Sequence, residues 1–242
     1  MSTCSVEENS NGHPAENRMK LRLISLVTGL LTAGCAHARK PEAVATHVNR
    51  RVVLVHGFLE TGNTFRTLKK RLERQGVQCL VPKLRPSDGR GGLEGLAERL
   101  KQDIEAAYGP RQPISIVAFS MGGLVSRHYL QNLGGAARCE MLCTISSPHK
   151  GTQAAWLYPS KGAEQMRPGS EFLAELGKTE ARLGRMPVVS YRTPMDLIIL
   201  PPVSSVWDRA ENLEYPVLMH PLMLTSNAVL TDLERRLLDL PR

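Results

Sequence analysis

The chain has 242 residues, 42% hydrophobic and 22% charged, a balance that excludes wholesale disorder, collagen-like repetition and a coiled coil and suits one globular domain. Its 31 Lys and Arg against 23 Asp and Glu give a formal charge of +8. The basic residues are scattered rather than massed among aromatics, so no nucleic-acid partner is expected, and no apolar run reaches the roughly 18 to 20 residues of a spanning helix.

Residues 1–18 are polar and without periodicity. From Met19 the text reads MKLRLISLVTGLLTAGC: two basic residues, an apolar stretch from Leu23 to Leu31, then small residues ending at Cys35. That is the three-part layout of a secretory signal. The Thr32-Ala33-Gly34-Cys35 ending resembles the lipobox of bacterial lipoproteins, a family that favours Leu where Thr32 stands. The resemblance implies lipidation at Cys35, a start at Met19, and a protein anchored to a membrane of the bacterial cell envelope. The alternative is a short buried helix with Cys35 as a small hydrophobe, in a secreted or cytoplasmic protein. Residues 1–35 are therefore set apart from a domain at 36–242.

From Arg51 the chain alternates. RVVLVHG (51–57) is a β-branched run suited to a strand buried on both faces. In TGNTFRTLKKRLERQG, Phe65, Leu68 and Leu72 fall at helical spacing before Gly76. VQCLVPKL (77–84) predicts the next strand, and Leu93, Leu96, Leu100, Ile104 and Ala107 predict a helix that stops at Gly109-Pro110. PISIVAF is strand-like, MGGLVSRHYLQNLGG helix-like and CEMLCTIS strand-like. Cys139 and Cys143 then share a strand face about 13 Å apart, at about 3.3 Å per residue, too far to pair; with Cys79 they are expected as buried free thiols. No Cys/His spacing suits zinc.

Residues 152–185 break the rhythm with Trp156, Met166, Phe172 and Leu173 among Gly and Pro. One short helix from Ser170 to Gly177 is expected there, inside a cap or lid insertion. MPVVSYR (186–192) and PVLMH (216–220) predict two further strands, and SNAVLTDLERRLLDL a closing amphipathic helix. Strands alternating with helices imply a mostly parallel α/β sheet with helices on both faces.

The chemistry centres on Ala118-Phe119-Ser120-Met121-Gly122-Gly123, where a buried strand meets a helix. A serine on such a turn projects its hydroxyl above the sheet, and small residues two before and two after allow the close approach. The chain here resembles the α/β-hydrolase superfamily, in particular the small bacterial lipases and esterases with Ala-x-Ser-x-Gly, over roughly residues 50–240. The resemblance implies Ser120 as nucleophile, with the backbone N–H groups of Phe58 and Met121 as oxyanion donors. The Phe58 ring either lines the acyl pocket or packs in the core. SSPHKGT (146–152) is similar to a loop of those lipases, which makes His149 a loop-fixing residue or a solvent-exposed one.

A base and an acid follow in the family's order. His220, after the late apolar run, is the expected base. Asp196, after MPVVSYR, is the expected acid, with Asp208 as rival. An ester with an apolar acyl chain is the expected substrate, with Phe58, Trp156, Leu157, Met166 and Phe172 as binding residues, or else as residues that pack the insertion onto the core. No metal or cofactor is implied. A phospholipase, a polyester depolymerase or an acyltransferase remain on the same scaffold, and a binding module or envelope lipoprotein without catalysis lies in another class.

Overall fold

The computed structural model describes residues 49–240. The expectations at Cys35 and the rest of residues 1–35 lie outside them. Six parallel strands form one sheet in the order β2-β1-β3-β4-β5-β6: β1 Arg51–Val55, β2 Gln78–Leu80, β3 Ile114–Phe119, β4 Cys139–Ile145, β5 Val188–Arg192 and β6 Glu211–Glu214. Six helices connect or flank them: α1 Arg66–Arg74, α2 Leu93–Tyr108, α3 Met121–Asn132, α4 Lys161–Gln165, α5 Glu171–Lys178 and α6 Asn227–Leu238.

Alternation along the strands feeds two cores. Val53, Val55, Ile116 and Ala118 face α2 and α3 together with the capping segment. Val52, Leu54, Val117 and Phe119 face α1 and α6, which are tied to each other by Arg71 and Glu234 at 2.6 Å. The α2 stripe is Leu93, Leu96, Ala97, Leu100 and Ile104; Ala107 lies on the exposed side, because the helix ends one residue later and its last turn projects beyond the sheet.

Three expectations about the strands need correction. Cys139 and Cys143 pack in opposite cores. Ile114 pairs with Cys139 but Ser115 with Met141, a register shift in which Glu140 is an extra residue. Such a bulge reverses the faces of all that follows. The second strand stops at Leu80, short of Pro82, and Cys79 is only half-buried. PVLMH is not a strand. Tyr215 N–H still donates to Arg192 O at 2.9 Å, but Pro216 has no N–H to extend the ladder, and Val217 N–H turns back to Tyr215 O at 2.7 Å. The sixth strand is instead the polar Glu211–Glu214, paired with β5 at the sheet edge.

The segment 152–185 contains more helix than expected: 3₁₀ turns at Gln153–Leu157 and Glu180–Leu183 as well as α4 and α5. Ser170 caps α5 by accepting from Leu173 N–H at 3.3 Å, but Gly177 lies within the helix, which ends at Lys178.

Candidate active site

β3 carries the chain to Ser120 between two neighbours that hold it on both sides. Ala118 pairs with Val55 on β1 and with Thr144 on β4, and Ser120 N–H donates to Ile145 O at 2.9 Å. Ser120 then adopts φ 54°, ψ −128°, a conformation that costs a non-glycine residue about 1–3 kcal/mol and persists only when its surroundings impose it. Gly122 shows how. A Cβ there would lie 2.4 Å from Val55 O and 2.7 Å from His56 O, so α3 starts in direct contact with the end of β1. The methyl group of Ala118 is accommodated in the core at no exposure.

The structure brings Asp196 and His220 together. His220 Nδ1 lies 2.7 Å from Asp196 Oδ2, and both residues are buried. The other carboxylate oxygen, Oδ1, accepts the N–H groups of Ile198 at 2.9 Å and Ile199 at 2.8 Å. Burial alone would raise the Asp196 carboxyl; the His220 hydrogen bond and charge and these two backbone donors outweigh it and hold the carboxyl below its usual value. Both oxygens are thus occupied and the carboxylate is fixed in orientation. The His220 ring packs on Phe119 with centroids 4.6 Å apart, against the residue that leads into Ser120. Asp208 lies elsewhere: its side chain is 86% exposed and pairs with Lys150 at 3.2 Å.

The loop after β1 stands beside the serine. A Cβ on Gly57 would lie 2.9 Å from Ser120 Cβ. Neither Phe58 N–H nor Met121 N–H has an acceptor among the described residues, which leaves both donors available to a ligand atom. A cavity of about 80 Å³ opens at Ser120 and is lined by Phe58, Tyr158, Ala163, Met166, Ile198 and Ile199 among others. Phe58 meets Tyr158 edge to face at 4.9 Å, so its ring lines the cavity and also packs against the capping segment.

The remaining residues expected at the substrate are not in this cavity. Trp156 is 60% and Leu157 87% exposed, with the Arg167 guanidinium 4.3 Å above the Trp156 ring; the 3₁₀ turn that carries them points their side chains outward while Ala155 faces in. Phe172 is buried in the core and stacks on His128 at 5.6 Å. Tyr158, Ile198 and Ile199 were not anticipated; the isoleucines are marked in sequence only by following Asp196. Thr152 links the two loops, because its hydroxyl donates to Ile198 O at 2.7 Å and accepts Leu200 N–H at 2.9 Å.

His149 is buried. Its Nε2 lies 3.0 Å from Thr144 Oγ1 and its Nδ1 3.5 Å from Arg127, and its ring meets that of Trp207 at a tilt of 32°, centroids 4.7 Å apart. Burial, then Arg127 and Lys150, push its pKa well below the usual imidazole value. It ties the loop after β4 to the core behind α3. Among the described residues no group of three or more His, Cys, Asp or Glu side chains converges as a metal site would require.

Solved structures resemble the chain at low identity: Bacillus licheniformis lipase BlEst2 in its mature form (15% identity, TM-score 0.67, covering 82% of this chain and 96% of that one), a Listeria innocua gene product (12%, 0.61, 80% and 95%), and a pyrethroid hydrolase from Sphingobium faniae (15%, 0.55, 79% and 98%). These likenesses establish the fold. No curated protein matches the sequence. The family model described as alpha/beta hydrolase fold matches residues 50–217, and the chain belongs to that family.

Proposed function

We propose that the chain is a serine carboxylic-ester hydrolase that works through Ser120, His220 and Asp196. The observation that carries this is the strained backbone at Ser120, φ 54°, held at the mouth of an apolar cavity with the hydrogen-bonded His220–Asp196 pair against the adjoining Phe119. Strain of this kind, with its cost, is retained where it aims a side chain.

The chemistry runs in two halves. Ser120 Oγ attacks the ester carbonyl and its proton passes to His220 Nε2, while Asp196 holds Nδ1–H and stabilises the imidazolium. The carbonyl oxygen, now an alkoxide, is met by the N–H groups of Phe58 and Met121, each worth roughly 3 to 4 kcal/mol of barrier when preorganised. Collapse expels the alcohol, which takes the proton from His220, and leaves Ser120 acylated. Water then repeats the sequence: it gives a proton to His220, releases the carboxylic acid and restores the hydroxyl.

The cavity favours a short acyl chain. At about 80 Å³ it is far below the roughly 300 to 1,000 Å³ of sites for drug-sized ligands, and Met166 and Tyr158 are among the residues that line it. The surface around it supports a substrate presented at a lipid surface. Every exposed large hydrophobic side chain among the described residues lies in a connection leaving the C-terminal end of β1, β4, β5 or β6, Leu59, Leu157, Leu197 and Leu218 among them. Scattered single hydrophobics need no explanation, but consecutive exposed pairs such as Trp156–Leu157, Leu197–Ile198 and Leu218–Met219 form a rim that does. A lipid anchor at Cys35 would keep this rim beside a membrane.

A fluorophosphonate probe tests the assignment. Wild type should be labelled stoichiometrically and lose esterase activity in parallel, and Ser120→Ala should take up no label. Labelling that survives in Ser120→Ala would refute the nucleophile; absence of both labelling and ester hydrolysis in folded wild type would leave a binding protein on a hydrolase fold.

A further inference from the structure

The loop after β1 offers three successive N–H groups beside the nucleophile, and each of its peptide planes is held by a different partner. Gly57 N–H donates to Glu60 Oε2 at 3.0 Å. Gly57 C=O, in the same peptide plane as Phe58 N–H, lies 3.0 Å from His56 Nδ1. Leu59 N–H donates to Ser87 O at 2.9 Å. Only the middle donor, Phe58 N–H, is without an acceptor among the described residues.

This turn is closed by a carboxylate and not by the backbone alone, since Glu60 N–H reaches Gly57 O only at 3.4 Å. It also carries strain: Leu59 has φ 57°, the left-handed region that a branched side chain disfavours. Gly57 is wedged in place, because a Cβ there would lie 2.9 Å from Ser120 Cβ on one side and 3.0 Å from Glu60 Oε2 on the other. The carboxylate therefore sits one glycine backbone away from the nucleophile. Burial holds the Glu60 carboxyl above its usual value, only partly offset by the Gly57 N–H, the nearby His220 and the Thr64 hydroxyl.

We propose that Glu60 is the positioning residue of the oxyanion hole: by binding Gly57 N–H it fixes the turn so that the next N–H, that of Phe58, faces the reacting carbonyl. The inference deepens the hydrolytic assignment and rests on it. Glu60 itself touches no reacting atom. Its contribution is geometric, and a misplacement of about 1 Å at such a site costs about 10²-fold in rate.

The test compares Glu60→Ala, Glu60→Asp and Glu60→Gln with wild type, using a neutral, water-soluble short-chain ester, thermal melting and inhibition by an alkylboronic acid. The boronic acid reports the hole directly: boron accepts the Ser120 oxygen, the hydroxyl proton passes to His220, and the adduct is a tetrahedral anion that needs the same donors. Glu60→Ala should lower kcat about 10²-fold with KM changed less than about threefold, and boronate affinity should fall by a comparable factor. Glu60→Asp keeps the charge but is one methylene too short to reach Gly57 N–H, and should fall nearly as far, which keeps the test open should the alanine variant fail to fold. Glu60→Gln offers an amide oxygen to the same N–H and should stay within about fivefold of wild type. Melting temperatures that drop while kcat and boronate affinity hold would overturn the proposal, since Glu60 would then only stabilise the fold. So would a glutamine variant as impaired as the alanine one, because charge and not the acceptor would then matter. A wild type that neither hydrolyses the ester nor binds the boronic acid removes the hydrolytic assignment instead, before any Glu60 variant is compared.

Discussion

The centre of the sheet and its far edge hold their functional groups by different means. At the centre, β1, β3 and β4 are apolar on both faces, and Ser120 is aimed by packing: Gly122 against the carbonyls of Val55 and His56, Gly123 against Ser147, whose Oγ a Cβ would meet at 2.1 Å. At the edge, β6 is polar and largely exposed, and Asp196 and His220 come from loops aimed by hydrogen bonds, to each other and to the N–H groups of Ile198 and Ile199. The difference teaches that damage to the packing behind Ser120 should appear as lost stability, and that, under the proposed mechanism, damage at Asp196 or His220 should appear as lost turnover in a folded protein.

Changes at the edge should give the largest effect. Asp196→Asn keeps the shape but offers His220 an amide, favouring the wrong imidazole tautomer, and should lower kcat about 10⁴-fold while the melting temperature falls by only a few degrees. Asp208→Asn, at an exposed ion pair, should leave turnover within about twofold. Steady-state kinetics on both variants checks this ranking, and the reverse order would move the acid to Asp208. At the centre the pattern inverts. Gly122→Ala pushes a methyl group into the end of β1, where the nearest atoms are all backbone, and should cost about 3 kcal/mol. At about 2–4 °C per kcal/mol for a chain of this size, melting should drop by about 6 °C or more; a variant that melts like wild type would mean that the turn at Ser120 is not held by this contact.

Met166 lies between these regimes, since it lines the cavity but is supplied by the capping segment. Met166→Ala should raise kcat/KM for an eight-carbon acyl ester about tenfold relative to a four-carbon one, at about 2–5 kcal/mol of stability. An unchanged chain-length profile would place the acyl group elsewhere.

His149 extends the comparison to pH. Its folded pKa is depressed, so the unfolded chain takes up its proton first. The stability it contributes is complete above the ordinary imidazole value near 6.5 and is lost as pH falls from there towards the folded value. His56 and His128, also depressed by burial, act in the same direction. Melting scans between pH 7.5 and 5 should therefore show a falling Tm, and His149→Asn should begin lower and fall less steeply. Equal slopes would mean that His149 is not held neutral. The smallest effect belongs to the rim. Trp156→Ser with Leu157→Ser should weaken co-sedimentation with anionic phospholipid vesicles several-fold while hydrolysis of a soluble ester is unchanged; undiminished sedimentation would divorce the rim from lipid.

The same contrast explains what could be read from sequence. β1, β3 and β4 declare themselves because burial on both faces demands uninterrupted β-branched and apolar residues, and Ser120 stands where such a run meets a helix. The edge offers no such pattern. Glu211–Glu214 is a strand only because β5 supplies its partner, while the more hydrophobic Pro216–Met219 is excluded by the missing N–H of its proline. Asp196 stands out as a candidate because it follows β5 closely, and the structure places it against His220. The outward turn of Trp156 and Leu157 was not, since exposure on a 3₁₀ turn depends on what the turn packs against, and hydrophobicity alone pointed them inward. The bulge at Glu140 that separates Cys139 from Cys143 has no sequence signature at all. Glu60 was equally silent: nothing in HGFLE distinguishes a carboxylate that folds back onto Gly57 N–H from one that faces water.

The central claim is that Ser120 carries the acyl group. Mixing wild type with a chromogenic short-chain ester, quenching in acid within the first turnover and locating added mass on the digested peptides tests it most directly. The account predicts one acyl group per chain on the peptide containing Ser120, and none in Ser120→Ala. Alcohol released with no acylated peptide, or an acyl group on any other residue, would contradict it.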